Sequence, residues 1–108
     1  MENGSLIFTE RNKTLIAALC CEIDHHTAKG LRERIDSRLF LTKPDTLVLD
    51  FSGVPFMDSS GIALIIGRAE AARSLSCGVH LVGLTERVRR LLSLSGIDKL
   101  ENLTAESN

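Results

Sequence analysis

The stretch "LVLDFSGVPFMDSSG", Leu47 to Gly61, carries the reading of the fold. Thr46 to Phe51 is a short run with little polar alternation, the pattern of a central strand covered on both faces. Ser52-Gly53-Val54-Pro55 is a turn-rich connection. Asp58-Ser59-Ser60-Gly61 follows, and from Ser60 the periodicity becomes helical: Ile62, Ile65, Ile66, Ala69 and Ala72 make one broad apolar face that ends near Cys77-Gly78. A strand that hands over to a helix in this way is one unit of an α/β chain, and the flanking sequence continues the alternation.

Upstream, Leu6 to Thr9 and Thr14 to Cys21 are β-like runs on either side of the polar segment Glu10-Arg11-Asn12-Lys13, which predicts an antiparallel hairpin. Glu22 to Thr27 reads as a loop. A helix follows, with Asp24 or Thr27 as its N-cap and Ala28, Leu31, Ile35 and Leu39 on one face, and Pro44 stops any continuation. Downstream, Val79 to Gly83 reads as a strand. Thr85 caps a third helix with Glu86 in its first turn, Val88, Leu91, Leu92 and Ser95 line one side of it, and Gly96 suits its C-terminal cap. Leu100 to Leu103 reads as a last short strand and Thr104 to Asn108 as a polar, frayed tail. The order β-β-α-β-α-β-α-β predicts an α/β fold, a mixed sheet of about four to five strands with helices packed on it through right-handed crossovers.

The chain of 108 residues has room for one domain, 1–108, with about 6–103 structured. Four Phe, no Tyr and no Trp leave the core to aliphatic side chains. A net charge of −1 argues against a nucleic-acid partner, which needs a concentrated basic patch. Arg87, Arg89 and Arg90, the densest basic cluster, read as a solvated helix face. Cys20, Cys21 and Cys77 are an odd set with two members adjacent. That is no disulfide framework, and neighbours on a strand point to opposite faces, so the set suits a reducing compartment. The N-terminus lacks the basic and apolar regions of a secretion signal, and no apolar run approaches the ~18 residues that span a bilayer. The expectation is a cytoplasmic protein with no membrane partner.

The tetrad Asp58-Ser59-Ser60-Gly61 holds the chemistry. The first helical N–H groups need outside acceptors, and Asp, Ser and Ser are all good caps, so one caps and the others fill a turn. A second hydroxyl then remains at the C-terminal end of a buried strand, the edge where sites lie in open α/β sheets. A phosphate there would meet the helix dipole favourably and add about −1.5 to −2 charges beside Asp58. A nucleophilic serine would need a base such as His25, His26 or His80, but Met57 to Gly61 is no Gly-x-Ser-x-Gly elbow, and so short a chain leaves little room for a substrate pocket. His25-His26 lacks metal-ligand spacing. Gly61 to Gly67 lacks both the P-loop Lys-Ser/Thr pair and the triple-glycine spacing, so Gly67 reads as a packing residue. No metal, cofactor or catalytic residue is expected.

"FMDSSGIALIIGR" (Phe56 to Arg68) closely resembles the signature of the anti-sigma factor antagonists, the bacterial STAS-domain proteins of sporulation and general-stress regulation. "EIDHHTAKGLRERI" (Glu22 to Ile35), the opening stretch itself and "ERVRRLLSLSGIDKL" (Glu86 to Leu100) resemble the same family in the same order, together covering about residues 6 to 103. One departure is Cys21, where relatives often carry Gly. The resemblance implies a single STAS domain that is not an enzyme. Its partner would be an anti-sigma factor with serine kinase activity, and docking would release a sigma factor. It implies that the kinase phosphorylates Ser59 and ends binding, and that a serine phosphatase reverses this. It further implies that Asp24, Asp58, Ser59, Ser60 and Gly61 form the partner-binding surface. The alternative within the same fold is a ligand- or nucleotide-sensing STAS domain of a stress complex or transporter tail, without a kinase cycle.

Overall fold

The computed structural model describes residues 5–106. Strand β1 (Leu6–Arg11) and strand β2 (Thr14–Leu19) pair antiparallel, Leu6 opposite Leu19 and Arg11 opposite Thr14. Asn12 and Lys13 both take positive φ, 51° and 64°, the left-handed pair that lets a two-residue hairpin follow the twist of its strands. Helix α1 (His25–Thr42), strand β3 (Thr46–Asp50), helix α2 (Ser59–Arg73), strand β4 (Gly78–Val82) and helix α3 (Glu86–Ser95) follow, then a 3-10 turn and strand β5 (Leu103–Ala105). The expected order is therefore the observed one.

The five strands lie in sequence order across one sheet, and β2 to β5 run parallel. Every parallel crossover steps the same way, so right-handed connections put all three helices on one side. The burial agrees. Leu15, Ala17 and Leu19, then Leu47 and Leu49, then Val79 and Leu81 face the helices and are fully buried. Their alternates Ile16, Val48, His80 and Val82 are only half-buried. This corrects the expectation that β3 is covered on both faces. Its apolar run hides a one-sided strand, because Val48 suits a pleated, half-exposed position as well as a core one.

Two helix faces also differ from expectation. On α2 the buried residues are Gly61, Leu64, Ile65, Arg68, Ala69 and Ala72, whereas Ile62 and Ile66 are half-buried. On α3, Val88 and Leu92 point inward, while Leu91 is 43% exposed and Ser95 is exposed. The last strand lies further along than expected. Thr104 and Ala105 belong to β5 opposite His80 and Leu81, and the Glu106 N–H donates to Leu81 O at 2.8 Å. Those parallel-ladder bonds order residues that their polarity alone would leave frayed. Ser107 and Asn108 lie outside the described residues.

One charge sits in the core. Arg68, 5% exposed, reaches from α2 to α1 and places Nε 2.7 Å from Asp36 Oδ1. The two atoms are close enough for an ion pair but not aligned as a hydrogen bond. Burial lowers the proton affinity of the guanidinium below its ordinary value, and Asp36 opposes that loss.

Gly96 ends α3 with φ +77°, and a Cβ built there would meet nothing within 4 Å. Gly96→Ala therefore isolates the backbone term. It is expected to cost about 1–2 kcal/mol, the penalty of a left-handed L-residue. Urea unfolding would show this as a lower midpoint with an unchanged slope.

Candidate functional site

The starts of α1 and α2 are tied together at the C-terminal edge of the parallel strands. The Ile23 N–H donates to Phe56 O at 2.9 Å, the Asp58 N–H donates to Ile23 O at 3.1 Å, and Ile23 pairs with Met57 as a parallel bridge. Each helix cap comes one residue later. Asp24 and Asp58, distant in sequence, are thereby brought to one edge by a two-bond clasp over two buried side chains.

Both caps are aspartates. Asp24 Oδ1 accepts from the amides of His26 at 2.9 Å and Thr27 at 3.0 Å, while Thr27 Oγ1 accepts from the Asp24 amide at 3.0 Å. Of the two residues expected to compete for this cap, one caps and the other completes the capping box. At α2, Asp58 Oδ1 accepts from the Ser60 amide at 2.7 Å. The cap is therefore occupied without either serine.

Ser59, the first residue of α2, is exposed, and among the described residues its hydroxyl makes no hydrogen bond within the protein. Ser60 is half-buried on the side that faces α1. Gly61 is buried, and a Cβ there would collide with Met57 Cγ, so glycine is what lets the helix settle onto the clasp. The five sequence-predicted residues thus come together: two caps, an exposed hydroxyl, its neighbour and a close-approach glycine.

The cap hydrogen bonds also fix a charge. The Thr27 amide chiefly, and the His26 amide with it, hold the Asp24 carboxyl below its ordinary 3.8, with partial desolvation opposing them. A carboxylate with a depressed folded-state pKa contributes stability that is present above the unfolded value and is lost as pH falls through the folded one. The Asp24 carboxyl signal should accordingly titrate below 3.8, with the first turn of α1 loosening only there. A titration at or above that value would contradict the cap geometry.

Sequence reasoning missed the surface beside Ser59. A groove of about 540 Å³ runs between α2 and α3, lined by Phe56, Ile62, Ile66, Arg87 and Leu91. Phe56 is 50% exposed. The available signal was an excess: α2 carries more large apolar residues than one buried stripe holds.

The other candidates lie elsewhere. His25 and His26 are exposed, their rings edge to face at 5.9 Å, and His80 Nδ1 meets Thr104 Oγ1 at 2.7 Å on the open side of the sheet. Among the described residues none of the three hydrogen-bonds Ser59, and no three His, Cys, Asp or Glu side chains gather as metal ligands. Cys20 is exposed, Cys21 half-buried and Cys77 buried, all with free thiols. Among the described residues no helix is long and apolar enough to cross a membrane.

Comparison with known proteins gives a consistent result. The family model for the STAS domain matches residues 5–107. The anti-sigma F factor antagonist of Paenibacillus polymyxa is 33% identical over 86 residues, covering 80% of this chain and 74% of that one. The anti-sigma factor antagonist SpoIIAA in its unphosphorylated form shares the fold with a TM-score of 0.73 at 21% identity, over 95% of this chain and 89% of that one. The Bacillus cell-fate determinant SpoIIAA in its phosphorylated form gives 0.72 at 23% identity, over 95% and 92%.

Proposed function

Because the chain belongs to the STAS domain family, we propose that it is an anti-sigma factor antagonist whose docking is switched by phosphorylation of Ser59. In the unmodified state Asp24, Asp58, Ser59, Ser60 and Gly61, with the apolar groove between α2 and α3, receive an anti-sigma factor that is also a serine kinase. Docking withdraws that factor from its sigma factor. The setting is the cytoplasm, where transcription is controlled.

The observation that carries the reading is the free hydroxyl of Ser59. Asp58 already satisfies the start of α2, so Ser59 Oγ faces solvent. In the reaction Ser59 Oγ attacks the γ-phosphorus of ATP, its proton leaves and ADP departs. A phosphatase returns the hydroxyl by transferring the phosphoryl group to water. The phosphate would sit at the positive end of α2, so the fold can carry it. The docked partner is where it becomes costly, since the lip of a largely apolar groove beside two aspartates gives a dianion poor solvation and like-charge neighbours, which the single Arg87 of the groove offsets only in part.

The test is incubation of the full chain with its anti-sigma factor kinase and ATP, followed by mapping of the phosphate by mass spectrometry. One phosphate on Ser59, absent from Ser59→Ala, is the expected result. A phosphate on Ser60 instead, or transfer that survives Ser59→Ala, would overturn the assignment.

A further inference from the structure

The flank of α2 that faces α1 carries a second, different groove. It measures about 510 Å³ and is lined by His25, Lys29 and Arg32 from α1 and by Ser60, Gly67 and Arg68 from α2. Among the described residues neither Lys29 nor Arg32 has a carboxylate within 4 Å. Arg32 lies near enough to Arg68 for their charges to repel. The acid set against the cluster is Asp36, and it is committed to Arg68 Nε at 2.7 Å.

A guanidinium has five N–H donors in a planar fork. The Arg68 side chain is 6% exposed, and Asp36 is its ion-pair partner among the described residues. Among the described residues none of its N–H groups makes a hydrogen bond within the protein, and Arg68 lines a groove whose other basic residues are Lys29 and Arg32. Gly67 adds no side chain, and nothing stands within 4 Å of where its Cβ would be, so the groove is open at that point. A solvated helix face would explain Lys29 and Arg32, but not a buried guanidinium lining the same groove with its hydrogen-bond donors unused.

We propose that this groove binds a phosphate monoester. Lys29, Arg32 and Arg68 supply three positive charges and Asp36 one negative, a net of two positive, which matches a dianion. A phosphate also offers three acceptor oxygens, which suit an arginine fork and a lysine together. The Ser60 hydroxyl at the end of the groove adds a neutral donor, and the volume leaves room for the esterified group. The esterified group is either a small metabolite or a phosphorylated side chain of another protein.

The experiment uses the full chain carrying Ser59→Ala, so that its outcome is independent of the phosphorylation switch. Amide signals are followed at constant ionic strength while O-phosphoserine is added, with serine as the control. The expected result is saturable movement of Lys29, Arg32, Gly67 and Arg68 with a dissociation constant of about 1 mM or below. Lys29→Ala with Arg32→Ala should weaken binding at least about tenfold, and Arg11→Ala should leave it unchanged. A nucleoside monophosphate binding more tightly than a phosphoserine peptide would assign a small-molecule source, and the reverse order would assign a phosphoprotein. Either order supports the site. Movement centred on the groove between α2 and α3, binding that survives the double substitution, or no saturable movement would overturn it.

Discussion

Ser59→Glu is expected to weaken binding of the anti-sigma partner by about a hundredfold or more, equivalent to ~2.7 kcal/mol, while Ser59→Ala binds like the unmodified protein. The argument separates what the domain feels from what the complex feels. In the free domain the new carboxylate sits on the first residue of α2, where the helix dipole favours a negative charge by about 0.3–1 kcal/mol. Repulsion from Asp58 works against this, so the net change in stability should stay within about 0.5 kcal/mol. In the complex the same charge loses water at the rim of a groove walled by Phe56, Ile62 and Leu91. It also adds to the negative charge that Asp24 and Asp58 already place on that edge, against which the groove sets the one cation Arg87. Calorimetric titration with the partner and urea unfolding of the same variants measure the two effects separately. A Glu variant that binds undiminished, or one that loses binding only because it has unfolded, would refute a charge-gated surface.

How much of this was legible in the sequence depends on the kind of signal. The order was, because it rests on local chemistry, although β1 runs on to Arg11, β2 stops at Leu19 and β5 starts only at Leu103. Asn12 and Lys13 make a two-residue turn between β-like runs, Asp24 and Thr27 stand at capping-box spacing, and Gly96 stops α3. The site was legible as a place, since the Asp58 to Gly61 tetrad marks a strand-to-helix junction. Its meaning came from resemblance, because Asp58, Ser59 and Ser60 are equally good caps and propensity does not choose among them. Faces were the weak point. Periodicity shows that apolar residues share a side but not what covers that side. Ile62, Ile66 and Leu91 read as core and instead line a groove, and Val48 reads as doubly covered and instead faces the open side of the sheet. The Ile23–Met57 clasp joins segments more than thirty residues apart, and no local pattern announces such a pairing. Arg68 went unnoticed for the opposite reason: arginine is ordinarily a surface residue, so nothing local marks one that is buried.

That buried arginine carries a large stability effect that its ion pair makes testable. Asp36→Ala should cost about 3–5 kcal/mol, because it leaves the Arg68 guanidinium in the core without its counter-charge. The loss is a large share of the roughly 5–15 kcal/mol that holds a domain of this kind. Arg68→Met should cost clearly less. The two partners are unequally placed, 6% exposed for the arginine side chain and 28% for the aspartate, so an abandoned Asp36 reaches water more readily than an abandoned Arg68, which meets it only through the groove it lines. Pairing Arg68→Met with Asp36→Leu should then recover most of the loss seen for Asp36→Ala, since an apolar pair of similar volume suits the junction of α1 and α2. With a slope of about 1–3 kcal/mol per molar urea, the Asp36→Ala midpoint falls by at least about 1 M. The order of the two single substitutions is the decisive reading. If Arg68→Met proved the more damaging, the arginine's methylene packing rather than its charge would be holding the two helices together.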